Sequence, residues 1–259
     1  MAISKADALV LHSKKQGETS KIVTLYTKEF GKLTAMAKGS RGLKSKYLGA
    51  LETFNYIDVV FYKKEGRGMQ YLSQASILAP FQDIHTTLGK MALAAIPCEI
   101  INRGEEENHS HPKVFALLLG ALTSLEQNKK NLRNIVRAFQ MQYAALAGFE
   151  PALDSCQLCG KEQAETFNFF SLDSGHYACL QCGDIGDTIK LSKEALLFLR
   201  WFLKSPIENT ATVAINPDVG NECDSFLYGY LRAHIESLAS LRSIEHLKNL
   251  QTKLNGNND

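Results

Sequence analysis

The 259-residue sequence has no long hydrophobic segment. It contains no run of about eighteen apolar residues, which a membrane helix needs, and its N-terminus is too polar for a secretory signal. We therefore expect neither a membrane span nor export, and we expect a cytoplasmic location. In such a reducing compartment, cysteines bind metal more readily than they form disulfides.

The sequence also lacks the short motifs of several enzyme classes. Without GxxxxGK[ST] or a strand-to-helix GxGxxG, it offers no recognisable cradle for a nucleotide phosphate. The complete HExxH, HxE…PCxxC and GxSxG patterns are absent as well, which disfavours zinc proteases, nucleobase deaminases and serine hydrolases. We therefore predict that the protein is not an enzyme.

The charge of the chain is unevenly distributed, although the net charge is only +2. Residues 1–80 contain 13 Lys and Arg against 6 Asp and Glu, a net charge of +7. Residues 81–259 contain 16 against 21, a net charge of −5. A basic first part favours a polyanionic partner for that part of the chain.

The first eighty residues have the pattern of a small β-barrel. Short β-rich runs recur with turn signals between them, and they predict strands over residues 7–12, 21–27, 32–38, 54–62 and 69–79. Five strands with a long basic connection between the third and the fourth favour a five-stranded barrel of the OB-fold type. An open SH3-like barrel is the alternative.

From Pro80 onward the hydrophobic period becomes helical. Helices are predicted from residue 88, where Pro97 should bend or interrupt the segment, and over residues 112–126, 132–147, 192–204, 221–237 and 241–253. The predicted fold class is therefore α+β and multidomain. An OB-fold domain spans residues 1–80, and a helical domain spans residues 81–259 with a cysteine-rich, zinc-ribbon-like insert at about residues 152–188.

Two CxxC pairs are the most specific signal in the chain. Cys156 and Cys159 form the first pair, and Cys179 and Cys182 form the second. Two such pairs at this separation are typical of a structural zinc site with four thiolate ligands and no position left for a reactive water. Aromatic residues between the pairs predict a short hairpin. Disulfides or free thiols are the alternatives, and the remaining cysteines, Cys98 and Cys223, are predicted to be buried, inert thiols.

A basic run between the third and fourth strands is the candidate contact for nucleic acid. It carries Lys38, Arg41, Lys44 and Lys46 among glycines and serines, which can follow a phosphate backbone. We expect the neighbouring Tyr47 to stack on a base. A solvated loop without a partner is the alternative interpretation.

Several short motifs together resemble one bacterial family. The run GETSKI at residues 17–22, KGSR at residues 38–41 and KS at residues 44–45 are similar to the opening of the RecO family of DNA repair and recombination mediators. The helical part and the insert after GFEP at residues 148–151 resemble the same family. The resemblance therefore covers nearly the entire chain.

The resemblance implies a DNA-binding mediator that makes and breaks no bond. Such a protein binds single- and double-stranded DNA and anneals complementary strands. With RecR and RecF partners, it helps to load RecA onto DNA coated by single-strand-binding protein, at the nucleoid. Carried over by position, the DNA surface would comprise Lys21, Lys38, Arg41, Lys44 and Lys46. The zinc ligands would be Cys156, Cys159, Cys179 and Cys182.

Family members also bind the C-terminal tail of single-strand-binding protein in their helical domain. A tail of this kind needs an apolar groove with a cation for its carboxylate. Arg133, Arg137 and Lys204 each lie near apolar residues, and the sequence does not choose among them.

Two other functional classes stay open at this point. A zinc-ribbon adaptor that binds RNA or acts in transcription would also have a basic barrel and metal-binding cysteines. A metallohydrolase would need three protein ligands and a metal-bound water, which four thiolates disfavour.

Overall fold

The computed structural model describes residues 2–42, 45–64, 66, 68–162, 167–183 and 188–255. Two compact units divide the chain. The first consists of Met1–Glu126 together with Arg242–Asp259, and the second consists of Gln127–Leu241. The domain boundary expected near residue 80 stays a prediction.

A closed five-stranded β-barrel forms the beginning of the first unit, as the sequence predicted. Its strands are β1 (Ala2–Gln16), β2 (Ser20–Thr27), β3 (Gly31–Ala37), β4 (Tyr56–Lys63) and β5 (Gln70–Ala79). They follow the order β1-β2-β3-β5-β4, and β1 closes the barrel by pairing with β4. All pairs are antiparallel except β3 with β5.

The first strand is longer than residues 7–12, because it serves two neighbours. Its first part pairs with β4 from Ala2 to Leu9, and its second part pairs with β2 from Ala8 to Gln16. The register shifts between Val10 and His12, as at a β-bulge. Bulges bend strands, and this one lies where β1 passes from one partner to the other.

Alternating side chains fill the barrel interior. In β4, Ile57, Val59 and Phe61 are buried, whereas the residues between them are partly exposed. This alternation is what a sheet with one buried face requires. Tyr47, from the connection between β3 and β4, belongs to the same buried core.

Four helices complete the part of the first unit that the structure describes. Pro97 lies inside α2 (Leu88–Gly104), and the helix continues past it to its last residue, so the predicted interruption is wrong. Pro97 and its neighbours Ile96 and Cys98 are buried, and this packing holds the helix across the missing hydrogen bond. The helices are α1 (Gln82–Thr86), α2 (Leu88–Gly104), α3 (Pro112–Gln127) and α7 (Arg242–Asn255).

The second unit is helical with one small sheet. Helix α6 (Pro217–His234) starts earlier than residue 221, because the Asn216 side chain caps its N-terminus and Pro217 fits the first turn. The helices are α4 (Leu132–Leu146), α5 (Lys193–Lys204) and α6 (Pro217–His234). The sheet has the order β7-β6-β8 and consists of β6 (Phe167–Ser171), β7 (His176–Cys179) and β8 (Thr188–Ser192). Among the helices of the described residues, none is both long and apolar enough to cross a bilayer.

Candidate metal centre and nucleic-acid interface

The fold brings the four cysteines of the two CxxC pairs together in the second unit. The Sγ atoms of Cys156, Cys159, Cys179 and Cys182 all lie within 4.8 Å of one another. Between Cys159 and Cys179 the Sγ atoms are 3.8 Å apart, whereas a disulfide bond would need about 2.05 Å. Four sulfurs on a tetrahedron with zinc–sulfur bonds of about 2.3 Å would be about 3.8 Å apart. The cluster therefore fits a single tetrahedral metal ion, and its cysteines form no disulfide.

Each CxxC pair is bent into a tight turn that ends at a glycine. The Gly160 amide donates to the Cys156 carbonyl at 2.9 Å, and the Gly183 amide donates to the Cys179 carbonyl at 3.2 Å. Both glycines have a positive φ, +70° and +80°, which other residues adopt only with strain. Glycine at these two positions therefore lets each CxxC pair turn tightly without backbone strain.

Hydrogen bonds inside the cluster favour the thiolate form of Cys156. Burial alone would raise the pKa of Cys156, but amide N–H groups of Cys179, Cys159 and Leu158 lower this pKa to about 6. The Cys179 amide lies 3.3 Å from the Cys156 sulfur. The pKa of Cys182 is raised to about 12, because its thiol donates to the sulfurs of Cys159 and Cys179. Thiolate is the form that binds metal, so the surroundings of Cys156 prepare it as a ligand.

The predicted aromatic hairpin is present, and it packs onto a helix. Strands β6 and β7 form it, and β8 adds a third strand that the sequence did not reveal. Phe170 and Tyr177 are fully buried. Phe170 meets Phe226 of α6 edge to face, with ring centroids 4.8 Å apart. The sheet that carries Cys179 is therefore attached to α6 through aromatic contacts.

Arg200 on α5 is a structural residue of the site that sequence reasoning missed. Its guanidinium donates to the Leu153 carbonyl at 2.6 Å, the Asp154 carbonyl at 3.1 Å, the Glu162 carbonyl at 3.2 Å and the Tyr177 hydroxyl at 3.1 Å. These acceptors lie on both sides of the first CxxC pair and on β7. The Arg200 side chain thus connects the metal-binding segment to α5 through four hydrogen bonds. An arginine in an amphipathic helix gives no sequence signal for this role.

The two remaining cysteines are buried and do not belong to the cluster, as predicted. Burial raises the pKa of Cys98 and that of Cys223 to about 12. A thiol with such a pKa stays protonated at neutral pH and is a poor nucleophile and metal ligand. Both cysteines therefore belong to the core.

Three of the predicted DNA-contacting cations are exposed near the basic connection of the barrel. Lys38, Arg41 and Lys46 all have exposed side chains. The Arg41 guanidinium donates to the Gly17 carbonyl at 2.9 Å, which fixes its stem against the turn between β1 and β2. The Lys38 ammonium lies 4.9 Å from the centroid of the Tyr71 ring. Lys44 lies outside the described residues.

The structure places Lys21 and Tyr47 less favourably for DNA. Lys21 has a side chain only 17% exposed, and its ammonium pairs with Glu52 at 2.7 Å. Tyr47 is 2% exposed, and its hydroxyl donates to the Leu72 carbonyl at 2.9 Å. The expectation that Tyr47 stacks on a base is therefore wrong, because the ring completes the barrel core.

The three cations considered for the tail pocket all pair with carboxylates. Arg137, which is 5% exposed, makes two hydrogen bonds to Asp224 at 2.7 and 2.9 Å, and Arg133 approaches the same carboxylate at 3.3 Å. Lys204 pairs with Asp154 at 2.9 Å. These contacts are structural, so no tail pocket is assigned to them.

Comparison with known proteins gives concordant results along the chain. The profile described as "Recombination protein O N terminal" matches residues 1–81, and "Recombination protein O C terminal" matches residues 85–243. A DNA repair protein RecO from a Thermoanaerobacter species is 29% identical over 252 residues, which cover 97% of this chain and 99% of that protein. The protein of the same name from Caldanaerobacter subterraneus is 32% identical over 237 residues, 91% of this chain and 94% of that protein. The one from Chloroherpeton thalassium is 31% identical over 251 residues, 94% of this chain and 97% of that protein.

Proposed function

Because the chain belongs to the RecO family of DNA repair and recombination proteins, we propose that it is a non-enzymatic recombination mediator. It binds single- and double-stranded DNA and brings complementary strands together. With RecR and RecF partners it helps to load RecA onto DNA coated by single-strand-binding protein, whose C-terminal tail it also contacts. It performs this role in the bacterial cytoplasm, at the nucleoid.

The observation that carries this proposal is the group of exposed cations on the barrel. Lys38, Arg41 and Lys46 are exposed within or beside the connection between β3 and β4, in a segment of net charge +7 over residues 1–80. Cations that contact phosphates release counterions from nucleic acid, and this supplies affinity without regard to base sequence. Sequence-independent binding is what a mediator requires, because it must act wherever a single strand is exposed.

The cysteine cluster supports a structural role for the metal. We assign Zn²⁺ as its ion, held by Cys156, Cys159, Cys179 and Cys182. Four thiolates complete a tetrahedral coordination sphere and leave no position for a water that could be activated. Zinc therefore stabilises the β6-β7-β8 sheet and its attachment to α5 and α6, and chemistry at the metal has no part in the function.

Neutralising the exposed cations tests the DNA-binding surface. The triple variant Lys38→Gln, Arg41→Gln, Lys46→Gln should bind single-stranded DNA more weakly, with little dependence on base sequence. Each lost phosphate contact should reduce the slope of log affinity against log salt by about 0.7, so the slope should fall by about 2 in total. The measurement is a fluorescence anisotropy titration of a labelled oligonucleotide over a series of salt concentrations.

A matched variant controls for the change in net charge. Lys129, Lys130 and Lys193 are exposed lysines of the second unit, and their replacement by Gln removes the same number of charges. This control variant should keep most of the affinity and of the slope. An unchanged slope in the barrel variant, or an equal reduction in both variants, would place the DNA elsewhere.

A further inference from the structure

Leu48 combines an exposed apolar side chain with a strained backbone. Its side chain is 82% exposed, the largest exposure among the exposed large hydrophobic residues that the structure describes. Its φ is +36°, in the left-handed region that leucine rarely adopts. Conformations of this kind persist only where the surrounding structure imposes them, and they concentrate at functional sites.

The other described non-glycine residues with positive φ have an evident reason for it. Phe54 and Phe81 bury their rings to 7% and 5% exposure, so core packing stabilises their conformation. Asn108 and Asn131 belong to a residue type that tolerates left-handed backbone. Leu48 has neither a buried side chain nor a tolerant residue type. Neither burial of the side chain nor the residue type therefore accounts for the positive φ of Leu48.

Buried groups on both sides hold Leu48 in place. The Ala50 amide donates to the Tyr47 carbonyl at 2.7 Å, which closes a four-residue turn with Leu48 at its second position. Tyr47 and Ala50 are 2% and 1% exposed. The Asn55 side chain, itself buried, donates to the Gly49 carbonyl at 3.0 Å. The turn is thus anchored in the barrel core, and it presents Leu48 to solvent in a fixed position.

We propose that Leu48 inserts between neighbouring bases of a single DNA strand whose phosphates contact the cations near it. This inference rests on the proposed function and adds an apolar contact to it. Lys46 is exposed two residues before Leu48, and Arg41 is exposed in the same connection. Leucine wedges between base steps are a known way for proteins to unstack bases. An exposed lysine two residues from an exposed leucine suits nucleic acid better than a protein, because lysine contacts phosphates and is depleted in protein interfaces.

The variant Leu48→Asn tests this contact. Asparagine is close to leucine in size and tolerates left-handed backbone, so the variant should unfold at the same temperature as the wild type or higher. The probe is a single-stranded DNA oligonucleotide containing 2-aminopurine, whose fluorescence rises when it is unstacked. Wild-type protein should increase this fluorescence. Leu48→Asn should bind about tenfold more weakly, the lower end of what burial of a leucine contributes, and should give no increase.

Two further variants make the result specific. Leu48→Phe keeps a group that can enter the stack, so it should retain the fluorescence increase. Leu88 at the start of α2 is 57% exposed, and Leu88→Asn should leave both affinity and fluorescence unchanged. The salt slope should be the same in Leu48→Asn and wild type, because no phosphate contact is lost.

The outcomes separate this inference from the proposed function. Normal DNA affinity and a normal fluorescence increase in Leu48→Asn would overturn the insertion of Leu48 between bases. A reduced slope of log affinity against log salt in the Lys38, Arg41, Lys46 variant would still support these cations as the DNA-binding surface. A lower unfolding temperature in Leu48→Asn, with unchanged DNA binding, would make Leu48 a structural residue and also overturn the inference. If neither variant affects DNA binding, the DNA surface itself is wrong.

Discussion

Replacing Arg200 by Met should weaken zinc binding although Arg200 is not a ligand. Methionine keeps an apolar stem and removes all four hydrogen bonds of the guanidinium. The bonds to the Leu153 carbonyl and the Tyr177 hydroxyl are partly buried, and each should contribute about 1 kcal/mol, whereas the two exposed bonds contribute less. The total loss is about 2–3 kcal/mol. Because these bonds hold the segment around Cys156, zinc affinity should fall by about 30-fold to 150-fold.

Competition with a chromophoric zinc chelator measures this change directly. Lys204, one turn later on α5, provides a matched control. Its ammonium also contacts Asp154, but the side chains of the pair are 61% and 71% exposed. Exposed ion pairs contribute little, so Lys204→Met should change zinc affinity by less than about fivefold.

Two results would refute this reasoning. If Arg200→Met binds zinc as tightly as the wild type, the cluster is organised by the metal alone. If zinc affinity falls by the same factor in Arg200→Met and in Lys204→Met, the effect comes from positive charge near the site and not from the hydrogen bonds of Arg200.

Two further predictions concern stability. Gly220→Ala should destabilise the protein by about 2 kcal/mol in urea unfolding, because a Cβ there would lie 2.7 Å from the buried Arg137 guanidinium. The control Gly89→Ala adds a Cβ with no atom within 4 Å and should stabilise the protein slightly. Equal effects of the two substitutions on stability would contradict the clash at Gly220. Burial alone would raise the pKa of Glu99, but hydrogen bonds from the Arg242 and Ser243 amides at the start of α7 lower this pKa below the usual value of a glutamate. Because the folded-state pKa of Glu99 is lowered, these hydrogen bonds contribute stability above the unfolded pKa of a glutamate, about 4.3, and the contribution is lost as pH falls through the folded-state pKa. Glu99→Gln should therefore flatten the acid side of a curve of stability against pH. An unchanged curve would count against the contact.

The sequence was most informative where local chemistry is sufficient. Two CxxC pairs need only close approach to form a metal site, and the glycines after them need only a tight turn, so Gly160 and Gly183 could be predicted. The alternating strands of the barrel are likewise a local pattern, because one face of each strand must be buried. The length of β1 was missed, because the strand divides its pairing between two partners on either side of a bulge.

Residues whose roles depend on distant contacts could not be predicted. Tyr47 lies beside basic residues in the sequence, yet its ring is buried in the barrel core. Its burial depends on the tertiary fold and not on its neighbours in sequence. Arg200 donates hydrogen bonds to residues between 153 and 177, which are at least 23 positions away in sequence. The backbone of Leu48 is unusual only in three dimensions. Such roles follow from tertiary packing, which no short pattern encodes.

Strand annealing is the measurement that tests the central proposal most directly. Two complementary oligonucleotides are mixed with and without the protein over a series of salt concentrations, with no nucleotide and no added metal. The protein should accelerate annealing, because its cations reduce the repulsion between two phosphate backbones, and the acceleration should decline as salt rises. The Lys38, Arg41, Lys46 variant should accelerate annealing less at every salt concentration. A requirement for nucleotide, or DNA binding without any gain in annealing rate, would contradict the mediator function and favour a nucleic-acid-binding adaptor.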